Sequence, residues 1–256
     1  MALVDYDVTD AVATIVLNRP PVNALNAELI AAIDDALGEA EDPAVRSVVV
    51  TTAMPHFAVG ADITGFVEAF ETGAKDRQSA GLGAAASRLA SLAKPTIAAI
   101  QGVALGGGLE LAMGADFRYL AEDARVGQPE ILLGLIPGAG GTQRLSRIVG
   151  YQRAKEMCMT GRHVAAEEAL AIGLADRVVS ADDLLDVAAE AATEFATGPT
   201  EAYAGVKRAV GEGLDRTLEE GLAIETEEFA RVFATEDARI GVAAFLDKET
   251  PEFVGH

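Results

Sequence analysis

Pro95-Thr96-Ile97-Ala98-Ala99-Ile100-Gln101-Gly102-Val103-Ala104-Leu105-Gly106-Gly107-Gly108-Leu109-Glu110, followed by Gly127-Gln128-Pro129-Glu130, decides how the rest of this sequence is read. Residues 96–100 are apolar enough for a buried strand. The chain then breaks into three glycines and restarts as a helix over 107–115. Three consecutive glycines are costly in chain entropy, so they imply close approach or unusual dihedrals. Two readings follow. The glycines let a strand and helix pack closely, with Glu110 and Glu130 facing water. Or they aim free backbone N–H groups outward, backed by the positive end of a helix, as a seat for an anion or a developing oxyanion.

Bulk composition narrows the choice of partner. The chain has 256 residues, half of them hydrophobic, enough to bury a sizeable core. Aromatics are only 5% and Trp is absent, so Ala and small aliphatic side chains must fill that core. A net charge of −20 argues against nucleic acid and anionic membrane surfaces, which need a basic face. Cys158 is the single cysteine, so no intrachain disulfide can form; in Ala154-Lys155-Glu156-Met157-Cys158-Met159 it reads as a core residue. His56, His163 and His256 are far apart and near no cysteine or acidic cluster with ligand spacing, so no metal site is expected. The N-terminus lacks a basic and apolar leader pattern, and no run reaches membrane-span length. A cytoplasmic location is expected.

Along the chain, residues 3–8 and 12–18 alternate apolar and polar, predicting a hairpin. Asn26 caps a helix over 27–41, with Leu29, Ile30, Ile33 and Leu37 on one face. Val45 to Thr52 is a β-branched strand, and 56–62 a small-residue loop. Helices are expected over 62–72 and 76–93, then the 96–100 strand, the glycine turn and a short strand at 117–121. A glycine-rich loop (132–141) leads to helices at 141–149, 151–160 and 165–172, and Ala175 to Val179 is a last strand. Helices at 181–196, 199–212, 214–234 and 237–247 finish the chain. Strands alternating with helices imply an α/β fold with parallel pairing.

Two carboxylates beside an oxyanion seat suit proton transfer next to a carbonyl, where one backbone donor is worth about 3–4 kcal/mol. A hydrolase elbow, Gly-x-Ser-x-Gly, is absent. A dinucleotide-binding turn is a poor match because Glu110 would intrude on it.

Taken jointly, these motifs resemble the enoyl-CoA hydratase/isomerase (crotonase) superfamily. The resemblance rests on Leu105-Gly106-Gly107-Gly108-Leu109-Glu110-Leu111-Ala112 and on Gly127-Gln128-Pro129-Glu130-Ile131 with Gly134, Pro137, Gly138 and Gly140-Gly141-Thr142-Gln143-Arg144-Leu145. It rests also on Asn18-Arg19-Pro20 with Asn23-Ala24-Leu25-Asn26, and on Phe57-Ala58 with Gly60-Ala61-Asp62-Ile63. These blocks fall in the family's order along essentially the whole chain.

The resemblance implies a spiral of ββα turns over residues 1–180 and a helical oligomerisation region over 181–256, assembled as a homotrimer or a dimer of trimers. It implies an oxyanion hole from the peptide N–H groups of Ala61 and Gly107. Glu110 would be the base that activates water and Glu130 the acid that protonates the α-carbon of a trans-2-enoyl-CoA in fatty acid metabolism. The acyl-CoA would lie along Val22, Ala24, Ala58, Asp62, Ile63, Leu105, Gly108 and Pro129. Phe245 and Lys248 would reach the CoA of a neighbouring subunit, although Lys248 also reads as a solvated helix-end lysine. No cofactor is implied, since coenzyme A is part of the substrate. Thr64 stands where hydratases often carry a lysine near the CoA phosphates, and residues 65–83, which should wall the acyl pocket, follow no clear template. Two other readings stand beside hydration. An isomerase or other crotonase-fold acyl-CoA enzyme would give a different product, and a non-catalytic acyl-CoA-binding protein would not need both glutamates.

Overall fold

The computed structural model describes residues 2–73 and 78–256, with the backbone alone at residues 68 and 69. The hairpin forms as the alternation predicts. Strands β1 (Val4–Thr9) and β2 (Val12–Leu17) pair antiparallel, Val4 opposite Leu17. Helix α1 (Ala27–Glu39) starts where the Asn26 side chain accepts the Leu29 N–H, and buries Leu29, Ile30, Ile33 and Leu37. Strand β3 (Ser47–Thr52) is buried along its whole length, as a β-branched run between two layers should be.

From β3 onward one motif repeats. A strand of a large sheet is followed by a short strand of a second sheet and then by helix. The first turn is β3, β4 (Ala58–Val59), α2 (Ile63–Thr72) and α3 (Gln78–Ser91). The second is β5 (Thr96–Ile100), β6 (Val103–Leu105) and α4 (Gly107–Ala112). The third is β7 (Phe117–Ala121), β8 (Arg125–Gly127), a 3-10 turn at Glu130–Leu133, α5 (Gly141–Val149) and α6 (Tyr151–Thr160). The chain closes with β9 (His163–Ala165), α7 (Ala166–Ala171) and β10 (Arg177–Val179), then α8 (Leu184–Thr197), α9 (Thr200–Gly213), α10 (Leu218–Phe233) and α11 (Glu236–Asp247). The large sheet runs β1-β2-β3-β5-β7-β10, parallel except for the hairpin, and the small one runs β4-β6-β8-β9. This is the ββα spiral that the family resemblance implies.

The small sheet is the main departure from the sequence reading. Its strands have two or three residues, too short to show a period of two; β4 falls in the stretch read as a loop, and β9 overlaps the start of one read as a helix. The helix expected over 107–115 ends at Ala112, where Met113 caps it. The one expected over 165–172 gives its first residue to β9, and the strand expected from Ala175 begins at Arg177. The helix expected from 214 begins at Leu218, because Thr217 and Glu220 form a reciprocal capping box there. The expected start of a helix at 76 lies outside the described residues.

The helices after residue 180 divide. Helix α8 lays Leu184, Ala188, Ala191, Ala192 and Ala196 into the core and packs on β3, β5 and β7. Helices α9 and α10 and the turn between them leave Val206, Val210, Leu214, Leu218, Leu222, Phe229 and Phe233 exposed, and α11 leaves Val242, Phe245 and Leu246 exposed. Among the described residues, no helix is long and apolar enough to cross a membrane.

Candidate active site

The site lies where β4 and β6 end side by side. Ala58 pairs with Ala104 and Val59 with Leu105. Two residues further along each strand, Ala61 faces Gly107: a Cβ built on Gly107 would lie 3.8 Å from the Ala61 nitrogen. Gly106 makes the turn from β6 into α4 at φ +52° and ψ −123°, a conformation that side chains with a Cβ rarely adopt. A Cβ on Gly106 would also lie 2.8 Å from Glu130 Oε1. The glycine run therefore supplies both a special dihedral and close approach.

The direction of the Ala61 N–H follows from a parallel bridge. Leu25 donates its N–H to the Gly60 carbonyl at 2.9 Å, and its carbonyl accepts the Asp62 N–H at 2.9 Å. Ala61 sits between those two bonds, so its own N–H points away from Leu25, toward Gly107 and the cavity. That cavity has a volume of about 680 Å³. Gly60, Ala61, Leu105, Gly106, Gly107, Glu110, Pro129 and Glu130 line its chemical end. Ile63, Phe66 and Phe70 of α2 face Leu132, Leu133, Leu135 and Ile136 at the other.

The two glutamates are held differently. Glu110, on α4, is 3% exposed. Its Oε1 accepts the N–H groups of Ala139 and Gly141, each at 2.7 Å. Burial pushes its carboxyl up from the usual range, while these two donors and, at longer range, the Arg144 guanidinium favour the anion. Glu130 starts the 3-10 turn. Burial pushes it up to about 7, its own backbone N–H opposes the shift, and the charge of Glu110 adds to it. The fully buried Gln128 lies against Glu130. Turned so that its NH2 faces the carboxylate, its amide donates at 2.9 Å to Oε1 and 3.1 Å to Oε2. Turned the other way, its carbonyl accepts from the protonated acid, so one neutral side chain suits both protonation states.

The remaining residues singled out in the sequence fall into three places. Ile63, Leu105 and Pro129 line the cavity. Val22, Ala24, Ala58 and Asp62 lie on the adjoining segments, with the Val22 carbonyl accepting the Val59 N–H at 3.1 Å. Ala58 is fully buried, and its carbonyl would be 2.2 Å from a Cβ on Gly108. Gly108 thus packs α4 against β4 and does not line the cavity, which makes its part structural. Phe245 and Lys248, at the end of α11, also lie off the cavity of their own chain; Phe245 is 82% exposed. Thr64 is engaged with Asp62, donating its hydroxyl to Oδ1 at 2.7 Å. Cys158 is half-buried against the core. Among the described residues there is no group of three or more His, Cys, Asp or Glu placed to hold a metal ion.

Sequence reasoning gave no role to the Ala139 and Gly141 amides or to Gln128, and although it placed Ile63 beside the acyl-CoA and the acyl wall within residues 65–83, it did not single out the apolar stripe of α2. The stripe was visible as Ile63, Phe66, Val67 and Phe70 at helical spacing, but such spacing alone does not separate a core face from a pocket wall.

Comparison with known proteins fits this geometry. The family model described as Enoyl-CoA hydratase/isomerase matches residues 7–256. The chain belongs to the enoyl-CoA hydratase/isomerase family. It is 45% identical over 244 residues to a probable enoyl-CoA hydratase of Rhizobium meliloti, covering 94% of each chain. It is 40% identical over 246 residues to a short-chain-enoyl-CoA hydratase of Clostridium acetobutylicum, covering 94% of this chain and 93% of that one. The crystal structure of an enoyl-CoA hydratase from Bacillus anthracis superposes with a TM-score of 0.92 at 36% identity, covering 100% of both chains. The α/β architecture, with two sheets and C-terminal helices, is the fold of that family.

Proposed function

We propose that this enoyl-CoA hydratase, a hydro-lyase, works through the carboxylate pair flanking the Ala61–Gly107 seat. The thioester carbonyl of a trans-2-enoyl-CoA accepts the N–H groups of Ala61 and Gly107. Glu110 takes a proton from water as the oxygen adds to the β-carbon. Negative charge moves to the carbonyl oxygen, where the two donors hold it, and Glu130 delivers a proton to the α-carbon. The product is the 3-hydroxyacyl-CoA. The observation that carries this reading is the unequal anchoring of two buried carboxylates around one seat. Two N–H bonds favour the anion on Glu110, whereas Glu130, at about 7, retains a proton near neutral pH.

In the same reading, residues 181–256 form the oligomerisation region of a homotrimer or a dimer of trimers, in a cytoplasmic protein. The exposed apolar residues of α9 to α11 support that, and α11 would carry Phe245 and Lys248 to a neighbour's CoA.

The test is loss of the conjugated thioester absorbance of crotonyl-CoA and of a longer trans-2-enoyl-CoA, with the product identified. Formation of 3-hydroxyacyl-CoA is expected; a shifted double bond would make the protein an isomerase. Glu110→Gln and Glu130→Gln should each lower kcat by about 10²–10⁴-fold. Near-full hydration by Glu110→Gln would end the two-carboxylate mechanism.

A further inference from the structure

The motif Asn18-Arg19-Pro20 helped to place the chain in its family, yet the chemistry above gives Arg19 no task. Its contacts are specific. Nη1 donates to the Ala24 carbonyl at 2.7 Å and Nη2 to Asp62 Oδ2 at 2.8 Å. Ala24 and Asp62 each adjoin a member of the Leu25–Ala61 bridge, the first beside Leu25 and the second beside Ala61. The guanidinium therefore spans the two segments whose pairing sets the direction of the Ala61 N–H.

Neighbouring groups hold the clamp in turn. The Arg19 N–H donates to Asn23 Oδ1 at 2.7 Å. Asn23 is fully buried at φ +52°, and its amide donates to Thr52 Oγ1 at 2.7 Å and the Phe57 carbonyl at 2.9 Å. Asp62 divides its oxygens. Oδ1 caps α2 through the Thr64 N–H and hydroxyl, and Oδ2 is left for Arg19. A planar guanidinium can serve a carbonyl and a carboxylate at once with fixed geometry, and a lysine ammonium lacks that fork.

We propose that Arg19 is a positioning residue for the oxyanion site, acting through Ala24 and Asp62 to hold the Ala61 N–H in line with the substrate carbonyl. This rests on the seat assigned above to Ala61 and Gly107. Misplacing a catalytic group by about 1 Å costs on the order of 10²-fold, and removing an oxyanion donor outright costs about 10²–10³-fold.

The experiment uses the full chain and a saturated thioester, hexanoyl-CoA labelled with 13C at the carbonyl, which binds without being hydrated. Its carbonyl stretch, read by infrared difference spectroscopy, reports the hydrogen bonds it accepts. In the unmodified protein the band should lie below its position in water. In Arg19→Met it should move back toward that position, with kcat on crotonyl-CoA down about 10–100-fold and KM within about 3-fold. Arg19→Lys should restore little of either. A folded Arg19→Met with an unchanged carbonyl band and kcat within about 2-fold overturns the proposal. If Arg19→Met does not fold, Asp62→Asn decides by the same two readouts, because an asparagine keeps the α2 cap while losing the charged partner. An absence of any band shift in the unmodified protein removes the seat itself, and this inference with it. A shift retained in both variants removes only the role of Arg19.

Discussion

Glu130 meets its proton under different terms from a carboxyl in water. Burial raises its pKa from the ordinary carboxylate range to about 7. The folded state thus binds this proton more tightly than the unfolded chain does. The associated stability is complete below the unfolded carboxylate pKa and is lost as pH rises to about 7. Glu130→Gln carries no such titration. The melting temperature of the variant, minus that of the unmodified protein, should therefore be small near pH 4 and grow more positive up to pH 8. A flat difference across that range would show that Glu130 is not held protonated by its surroundings. In the proposed mechanism the same group is the acid, so kcat/KM should decline as pH passes about 7, and this limb should vanish in Glu130→Gln. The two glutamates were legible in the sequence because each sits in a glycine- or proline-marked turn. The amides of Ala139 and Gly141 were not, because a backbone N–H carries no residue signature and its direction depends on a loop reaching back 29 and 31 positions to Glu110.

The decisive element pair is β6 and α4, joined through the glycine run. A Cβ at position 108 would meet the Ala58 carbonyl oxygen at 2.2 Å, the Ala58 carbonyl carbon at 2.9 Å and its Cβ at 2.9 Å. Two of those atoms are backbone, so α4 itself must shift. Gly108→Ala should destabilise the fold by about 1–3 kcal/mol, measured by urea unfolding. It should also lower kcat more than it raises KM, since α4 carries both Gly107 and Glu110. Unchanged stability would mean that the helix packs less tightly on β4 than its atoms indicate. The same element shows where sequence reading stops. β3 and β5 were legible as continuous buried apolar runs, and α1 by its cap and its 3.6-residue stripe. The small sheet was hidden because strands such as Val103–Leu105 and Arg125–Gly127 gain their identity only from partners distant in sequence.

For the whole molecule, the unpartnered surface is informative. Phe229 and Phe233 stack 5.7 Å apart on α10 while 69% and 68% exposed, an arrangement that leaves apolar area for another copy to cover. Each copy also carries a net charge of −20, so bringing copies together costs electrostatic work that salt screens. The assembly proposed above should tighten as ionic strength rises, and Phe233→Glu should yield monomers in sedimentation velocity. If Phe245 and Lys248 serve a neighbour's CoA, those monomers should show a raised KM for the thioester. A Phe233→Glu protein that keeps its size places the contact elsewhere on the chain.

The pairing of β4 with β6 sets a ruler for the reaction. The two amides proposed to receive the thioester oxygen follow closely on the ends of adjacent parallel strands, Ala61 two residues past Val59 and Gly107 two past Leu105, so the main chain sets their placement. That placement belongs to the peptide chain and is indifferent to side-chain chemistry. The acid and base can be exchanged, or the acyl wall recut, without altering where an enolate oxygen comes to rest. For protein engineering this divides the molecule into a fixed cradle and replaceable tools. New thioester reactions are best sought by substitution at positions 110 and 130 and along the inner face of α2, leaving residues 58–61 and 104–108 untouched.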